Sequence, residues 1–550
     1  MKLILLIIGA FLGMGLSTAY AQSWTFLSHA GGGANDYGDR VALDKYDNSY
    51  VIGAFEGTAK FDTISLVAPG RWNVYLAKYD PRGRVIWAKV VAYTTATGSD
   101  IFANAVALDG AGNIYIGGRF LTDITIAGGK RESLGSSDMY LIKLNPDGNP
   151  IWSRTPGGVG IGTFGQDAIT ALAVDSAGNC YITGHYNNDA RFDTISLVSS
   201  LYYEAFVAKY DSSGKALWAR SGSSYGQLHL GLGIAVDGAG NCYVTGRFFN
   251  TLTFGTDTCD AVDGEQKAFI AKMNPEGTCR WIKKVGDGGY YGAGNDIAVD
   301  GNGNVYVAGF FRSTINFGGT TYTYDNNYRY AALIVKYDYD GNYVWSARSE
   351  GDGQNCTASE VKADNLGNVV VGGSFTGPVI FGAAHFTSLA DKSNAFIAKL
   401  GPHGDYLQAA QVTGNAGVSG SSVALTSNGD CEIAGTFSDS VAAGPYSGRG
   451  AGGLDMFLAK FSLTGLSVDT FVPAPKGELF LYPNPAGDIV RLVGRRPTDP
   501  VRIYSTDGVL VMDFGPADRI DISHLPVGTY FVKSGDLVCT LMKVGAGGNP

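Results

Sequence analysis

The sequence predicts an all-β chain in which seven repeated four-stranded units precede a smaller β domain that does not repeat. Three observations carry this. The pattern Ala-(Val/Leu)-Asp, a Gly/Asn turn and a β-rich run closing on Gly recurs with closing glycines at 53, 118, 184, 246, 309, 373 and 435, spaced by 65, 66, 62, 63, 64 and 62 residues. A fixed period of this length is the mark of a repeat architecture, with one supersecondary unit per period. No helical periodicity interrupts it, and the composition of 79 Gly, 12% aromatic and 17% charged residues suits a large all-β protein. Repetition stops after about Leu466, and short alternating strands of a different kind follow.

Residues 1–21 have the form of a secretory signal. Lys2 supplies the positive start, Leu3 to Leu16 is apolar, and Ala19-Tyr20-Ala21 is a small-x-small cleavage site. Cleavage is expected between Ala21 and Gln22. The apolar run is shorter than the ~20 residues a membrane span needs, and no later stretch reads as a transmembrane segment.

The fifth unit shows the expected sheet. Asp296 to Asp300 alternates and forms strand one; Gly301 to Asn304 supplies a tight turn; Val305 to Phe311 is strand two. After a longer connection, Ala332 to Tyr337 is strand three, Asp338 to Gly341 turns, and Tyr343 to Ser349 is strand four. Four antiparallel strands in each of seven units predict a seven-bladed β-propeller over residues 22–471. A lysine column sets the register: Lys78, Lys143, Lys209, Lys272, Lys336, Lys399 and Lys460. Nine residues later stand Trp87, Trp152, Trp218, Trp281 and Trp345, with Gln408 and Asp469 in the last two units. One large flat side chain per sheet suits packing between neighbouring blades. Trp24 lies 20 residues before Asp44 and is read as the tryptophan the last unit lacks. Ser23 to His29 would then supply the fourth strand of the last blade and remove its open edge.

These units resemble the bacterial extracellular β-propeller repeat called SBBP, on stretches such as AVDSAGNCYITG (173–184) and AFVAKYDSSGKALWAR (205–220). The resemblance implies the fold and an extracellular life, and no activity.

Residues 472–477 read as a linker, and 478–550 as a second domain with seven short strands, a small Ig-like β-sandwich. Its motifs are Tyr482-Pro483-Asn484-Pro485, then Val501-Arg502-Ile503-Tyr504 with Asp507-Gly508, then Leu525-Pro526 followed by Gly528 and Tyr530. They are similar to the type A C-terminal sorting domain of the type IX secretion system. The resemblance implies a Bacteroidota-like Gram-negative source, the type IX secretion machinery as partner, and secretion to the outer cell surface. It also implies removal of the domain on export and attachment to surface lipopolysaccharide.

Motifs for chemistry were weighed against context. Gly160 to Gly165 fits G-x-G-x-x-G but lies in a loop with no following helix to take a pyrophosphate. Gly222 to Gly226 fits G-x-S-x-G without the strand-to-helix turn that a nucleophilic Ser224 requires. The turns at 109–113, 237–241 and 300–304 echo the start of a calcium loop but lack the bidentate Glu, so Asp and Asn closing the turn is the preferred account. His29, His185, His229, His385, His403 and His524 are scattered without metal spacing. Of the seven cysteines, Cys180, Cys242 and Cys431 share one column and are read as buried apolar residues, whereas Cys259 and Cys279 could pair. No catalytic, cofactor-binding or metal residue is nominated, and no cofactor. The net charge of −9 and the lack of a basic run argue against nucleic acid.

Strand alternation puts the tight one–two and three–four turns on one face and the long, variable two–three and four–one connections on the other. The long-connection face is the expected binding face, for a surface glycan or a protein ligand. The heptapeptide FDTISLV, at 61–67 and 192–198, is read as a shared structural insertion. The function expected is non-enzymatic binding; the alternative is a secreted polysaccharide-active enzyme with two channel carboxylates ~5–10 Å apart.

Overall fold

Strand follows strand throughout the computed structural model, which describes residues 23–462 and 480–543 apart from 97, 159–166, 224–227, 262–263, 289, 325–328, 352–354, 483–488, 494–498, 507, 517–518 and 536. The chain divides into two compact units, with the boundary between Gly465 and Leu466. The expected leader, with Ala21 and Gln22, and the linker 472–477 lie outside the described residues.

Among the described residues the larger unit holds seven antiparallel sheets of four or more strands and a separate two-stranded one; six of the seven are built on four strands in chain order, and the last takes the N-terminal strand as its fourth. In the fifth, Tyr290–Val299, Val305–Phe317, Ala331–Tyr337 and Tyr343–Arg348 form the sequence-expected meander with longer first and second strands. The seven first strands line a single channel; they are Arg40–Leu43, Ile101–Leu108, Ala168–Val174, Leu230–Val236, Tyr290–Val299, Asn355–Ala363 and Val418–Leu425. Polar groups tie each to the next. Asn104 Nδ2 donates to the Ile169 carbonyl (2.8 Å), Thr170 Oγ1 to the Gly231 carbonyl (2.7 Å) and Asn295 Nδ2 to the Ala358 carbonyl (2.8 Å). The Val41 amide donates to Ser422 Oγ at 3.0 Å, so the last sheet meets the first.

The recurring closing glycine has a steric cause. Six first strands carry a register shift at the same place, for example between Ala103 and Ala105. The strand-one carbonyl there occupies the space a Cβ would need at the paired glycine: Phe102 against Gly118, Ala168 against Gly184, Leu230 against Gly246. The same overlap recurs at Gly53, Gly309, Gly373 and Gly435.

The Asp, Lys and Trp columns form one motif at the tight-turn end. Asp109 Oδ1 accepts from the amides of Ala111 (3.0 Å) and Asn113 (2.9 Å); its Oδ2 accepts from Asn113 Nδ2 (2.8 Å) and the Tyr115 hydroxyl (3.3 Å). Lys143 lies 3.5 Å from Asp109, with its ammonium 4.8 Å from the Tyr115 ring centroid. The lysine head thus spans a carboxylate, an aromatic face and the Ser212 carbonyl of the next sheet, at 3.2 Å. Trp152 stacks edge-on against Tyr115 at 6.0 Å and donates Nε1 to the same Ser212 carbonyl at 3.1 Å. The Asp, Asn and Tyr part of the motif repeats at Asp44, Asp175, Asp237 and Asp300. With both carboxylate oxygens spent, these turns close as hairpins and offer no calcium ligand set. In the last unit Thr426 replaces Asp, and Glu432 occupies the Tyr position, hydrogen-bonded to Ser49 of the first sheet.

The N-terminal strand, Trp24–Gly32, pairs with Tyr446–Phe461 and is the fourth strand of the last sheet. Its register corrects the assignment of Trp24. Every strand-three lysine with a tryptophan faces it directly, as Lys143 faces Trp152; Lys460 faces Phe26, and Trp24 faces Phe461. Phe26 therefore takes the tryptophan position, and Gly83 of the first sheet sits on its ring as Gly214 sits on Trp152. Trp24 instead packs edge-on against Phe461 at 5.1 Å.

The two–three connections also differ from expectation. They are not free loops but hairpins, such as Thr58–Phe61 with Ile64–Val67 and Thr251–Phe254 with Asp257–Asp260. FDTISLV is the tip and return of two of them, with Asp62 and Asp193 at φ 53° and 54°. Each hairpin pairs with the end of the preceding sheet's fourth strand: Gly32 with Ala59, Tyr93 with Thr125, Gly157 with Arg191, Ser223 with Thr253. The series continues through Asp287–Asn316, Glu350–Ile380 and Thr413–Ala442. Each hairpin also buries a pair of alternate apolar side chains in the core, such as Leu252 with Phe254 and Val379 with Phe381.

Cys180, Cys242, Cys356 and Cys431 are buried free thiols. Cys259 and Cys279, which the sequence left open to pairing, are free as well.

The smaller unit has two antiparallel sheets among the described residues. One contains Phe480–Tyr482, Ile489–Val493 and Arg519–Asp521; the other contains Leu510–Phe514, Val501–Ser505, Gly528–Ser534 and Leu537–Lys543. One core joins them through Leu492, Ile503, Ile520, Ile522, Val532 and Leu541.

Candidate functional site

The channel has two parts of different chemistry. Its wall is a cavity of about 520 Å³ lined by the first strands, mostly Ala, Val, Leu and Ile. Asp296, Glu360 and Lys362 interrupt that wall. Asp296 Oδ2 accepts the Val361 amide at 3.0 Å, and Glu360 Oε2 accepts the Val423 amide at 3.1 Å. Lys362 is 3.7 Å from Asp296 and bonds Glu360 directly. Burial pushes Asp296 up to about 6 against the pull of Lys362. Burial also opposes ionisation of Glu360, but Lys362 and Arg40 outweigh it and hold that carboxyl below its usual range. Two carboxylates do share the channel, as the enzymatic alternative requires. Each is already engaged by the neighbouring strand, and the lysine between them offsets their charge, which is the arrangement of a strut.

The mouth lies where the first strands begin, on the long-connection face, and is a cavity of about 680 Å³. Among the described residues its lining includes Arg40, Arg119, His185 and Arg247 and no carboxylate. Three of these are one column of the repeat, the residue after the closing glycine: Arg119 after Gly118, His185 after Gly184, Arg247 after Gly246. The next unit has Phe310 after Gly309. Adjacent sheets thus present two guanidinium groups, an imidazole and an aromatic ring in sequence.

Their environments are distinct. The Arg119 guanidinium lies 4.3 Å from the Phe102 ring centroid; burial holds it below its usual range against the opposing pull of Tyr203 and Asp100. Arg247 Nε is buried without a hydrogen-bond partner, and so is His185 Nδ1. Burial, then Arg119 and Arg247, push His185 down to about 3, so the imidazole is neutral. Phe310, Tyr291 and Tyr330 form a half-buried aromatic patch, with Phe310 and Tyr330 4.8 Å apart. Sequence reasoning placed His185 among scattered histidines and passed over both arginines. The available signal was their shared position in the repeat.

Of the sorting-motif residues, Tyr482 ends a strand and Pro483, Asn484 and Pro485 lie outside the described residues. Leu525 and Tyr530 are both in the core of the smaller unit, and the Tyr530 hydroxyl donates to the Pro526 carbonyl at 2.8 Å. Gly528 opens the strand that carries Tyr530. The Gly160 to Gly165 motif and Ser224 lie outside the described residues. Among the described residues no group of three or more His, Cys, Asp or Glu is placed to hold a metal, and no helix is long and apolar enough to cross a membrane.

Comparison with known proteins identifies the tail. Residues 480–538 match the family model of the secretion system C-terminal sorting domain. This tail is the type IX sorting signal, and the protein is a secreted, cell-surface protein of the Bacteroidota kind. A WD repeat-containing protein of Acanthamoeba polyphaga mimivirus is 25% identical over 415 residues, 62% of this chain; the match spans 29% of that relative's length. Among solved structures, PorZ of Porphyromonas gingivalis, a surface component of the type IX secretion system, aligns over 92% of this chain and 74% of its own, at 12% identity and TM-score 0.27. A Dyadobacter fermentans protein of unknown function aligns over 68% and 97%, at 12% identity and TM-score 0.37.

Proposed function

We propose that the larger unit is a seven-bladed β-propeller closed by its own N-terminal strand, that the tail is an Ig-like sandwich, and that the protein works by binding. In this reading the tail delivers the propeller to the cell surface, where the channel mouth on the long-connection face takes a glycan or a protein. The observation that carries it is the contrast between the two ends of the channel. At the tight-turn end the Asp, Lys and Trp columns are engaged in structural contacts, Gln408 Oε1 and Glu432 Oε1 excepted. At the other end a cavity of about 680 Å³ contains polar groups with no structural partner.

The alternative is hydrolysis of polysaccharide by Asp296 and Glu360. A glycosidase needs one carboxyl poised to give a proton and another free to attack or to activate water. Here both carboxylates accept backbone amides and flank a lysine, which favours binding over turnover. Glycan arrays and pull-downs with the purified chain test the proposal. Specific retention of a ligand that releases no product supports it. Turnover abolished by Asp296→Asn or Glu360→Gln would replace it with the enzymatic reading.

A further inference from the structure

We infer that the channel mouth binds an acidic saccharide, its carboxylate or sulfate group held by Arg119, His185 and Arg247 and its sugar ring resting on Phe310 and Tyr291. This deepens the proposed binding function and rests on it.

The first argument is charge. The chain carries a net charge of −9, yet the lining of this cavity combines three arginines with no carboxylate among the described residues. A part-buried guanidinium without a counter-charge is costly, and an anionic ligand would relieve that cost. Arg40 is engaged with the carbonyls of Asp39 and Ser421, and Arg119 has Asp100 nearby, but Arg247 forms no ion pair among the described residues.

The second argument is hydrogen bonding. A buried, unpartnered donor carries a desolvation cost that structural sites normally avoid. Arg247 Nε is such a donor, and His185 Nδ1 is a second unpartnered atom lining the same cavity. The neutral imidazole can donate one hydrogen bond to an anion without adding a third competing charge. Guanidinium donors suit carboxylate and sulfate oxygens in paired geometry.

The third argument selects a sugar over an acidic peptide. Phe310 continues the arginine column into the next sheet; beside it the Arg312 guanidinium covers one face of Tyr291, 4.3 Å from the ring centroid, which leaves the other face for a sugar. Flat aromatic faces beside donors fit the apolar face of a pyranose. In the cavity lining, Ser359 adds a hydroxyl and Asn104 and Asn295 add amide oxygens suited to sugar hydroxyls, their amide nitrogens being engaged by strand carbonyls.

The test is calorimetric titration of the full chain with alginate, dextran sulfate, uncharged dextran and polyglutamate. Alginate or dextran sulfate should bind and dextran should not; which of the two is tighter separates carboxylate from sulfate recognition. Arg119→Gln with Arg247→Gln should weaken binding about tenfold or more, on the scale of a lost charged hydrogen bond. Phe310→Ala should weaken it comparably, whereas Arg82→Gln on the tight-turn face should change nothing. Unchanged melting temperatures would show that the variants fold. Equal binding of charged and neutral polymers overturns the inference, as does a double variant without effect. Polyglutamate binding that ignores Phe310→Ala also overturns it and marks a charged peptide surface. If a neutral glycan is captured instead, the inference fails while the proposed function stands; if nothing binds in any format, both fail.

Discussion

The closing strand makes a quantitative claim about two residues 57 positions apart, Phe26 and Gly83. Phe26 is 7% exposed and packs with Tyr79, Leu458 and Ala424. Truncating a buried Phe to Ala costs about 3–5 kcal/mol through lost burial and the cavity left behind. Gly83 turns at φ 78°, a left-handed conformation that costs a side-chain-bearing residue about 1–2 kcal/mol. A Cβ at Gly83 would also overlap the Phe26 ring, adding about 1–3 kcal/mol of overpacking. Gly83→Ala therefore has two costs, and only the second depends on Phe26. In the double variant that second cost vanishes, so the combined loss should fall short of the sum by about 1–3 kcal/mol. Chemical denaturation of wild type, both single variants and the double variant measures this. If the roughly 440-residue larger unit unfolds as one, the usual per-residue entropy makes 1 kcal/mol worth about 1 °C in Tm, so Phe26→Ala should appear as about 3–5 °C. Additivity within about 0.5 kcal/mol would refute the contact and with it the register of the closing strand. Thr25→Ala, at an exposed neighbouring position, should be near neutral.

Deleting residues 23–29 should leave the last sheet with an open edge and produce aggregation or a large drop in Tm; an unchanged Tm would show the strand to be dispensable. Trp218→Phe keeps most of the ring but removes the 2.9 Å bond from Nε1 to the Pro275 carbonyl, and should cost about 0.5–1.5 kcal/mol in denaturant titration. Burial raises Asp36, Asp39 and Glu432 to about 7 and Asp167 to about 8, so the folded chain holds protons that the unfolded chain has already released. That contribution is present below the unfolded carboxyl range and is lost as pH rises through about 7 to 8, so stability should fall between pH 5 and 8, and Glu432→Gln should make the fall shallower. A chain ending at Lys476 should fold yet remain in the periplasm of a host with type IX machinery. Protease accessibility on intact cells reads this, and surface exposure of the truncated chain would remove the sorting role from the tail.

The sequence reveals most where one side chain repeats for one steric or hydrogen-bonding reason. The closing glycines were visible because a carbonyl leaves no room for a Cβ at Gly118 and its counterparts. The Asp109, Asn113, Tyr115, Lys143 and Trp152 columns were visible because each unit needs the same turn and the same bridge to its neighbour. The inter-sheet pairing of the two–three hairpins is made by backbone at Arg191 and Asn316, and the sequence shows it only through the buried apolar residues on either side, Ala190 with Phe192 and Ile315 with Phe317. Trp24 misled for a related reason. Spacing along the chain located the closing strand, but the shift in pairing between Trp24 and Phe26 moved the aromatic position by two residues. The sorting tail was legible from Tyr482 and the Leu525 to Tyr530 stretch, and the hydroxyl of Tyr530 on the Pro526 carbonyl gives that stretch a local structural reason.

The same logic indicates where function can reside in such a molecule. A position that every unit uses in one way is committed to holding the ring together. In the columns at the tight-turn end, the seven units differ little, and where they differ, as at Thr426 and Glu432, the replacement still bonds within the structure. The position after the closing glycine behaves otherwise: it is Ala54, Arg119, His185, Arg247, Phe310, Ser374 and Thr436 in turn. The paired carbonyl that fixes the preceding glycine places no demand on this next residue, whose side chain the strand alternation turns to the other face of its sheet. Chemistry there differs from sheet to sheet: the Ser374 and Thr436 hydroxyls accept the amides of Gly420 and Gly38, whereas Arg247 Nε has no such partner. Three of these residues, Arg119, His185 and Arg247, line the mouth of the channel. If the mouth binds as proposed, a ring of similar scaffolds with one variable position per repeat lets specificity change while the glycine and turn columns that hold the fold stay the same.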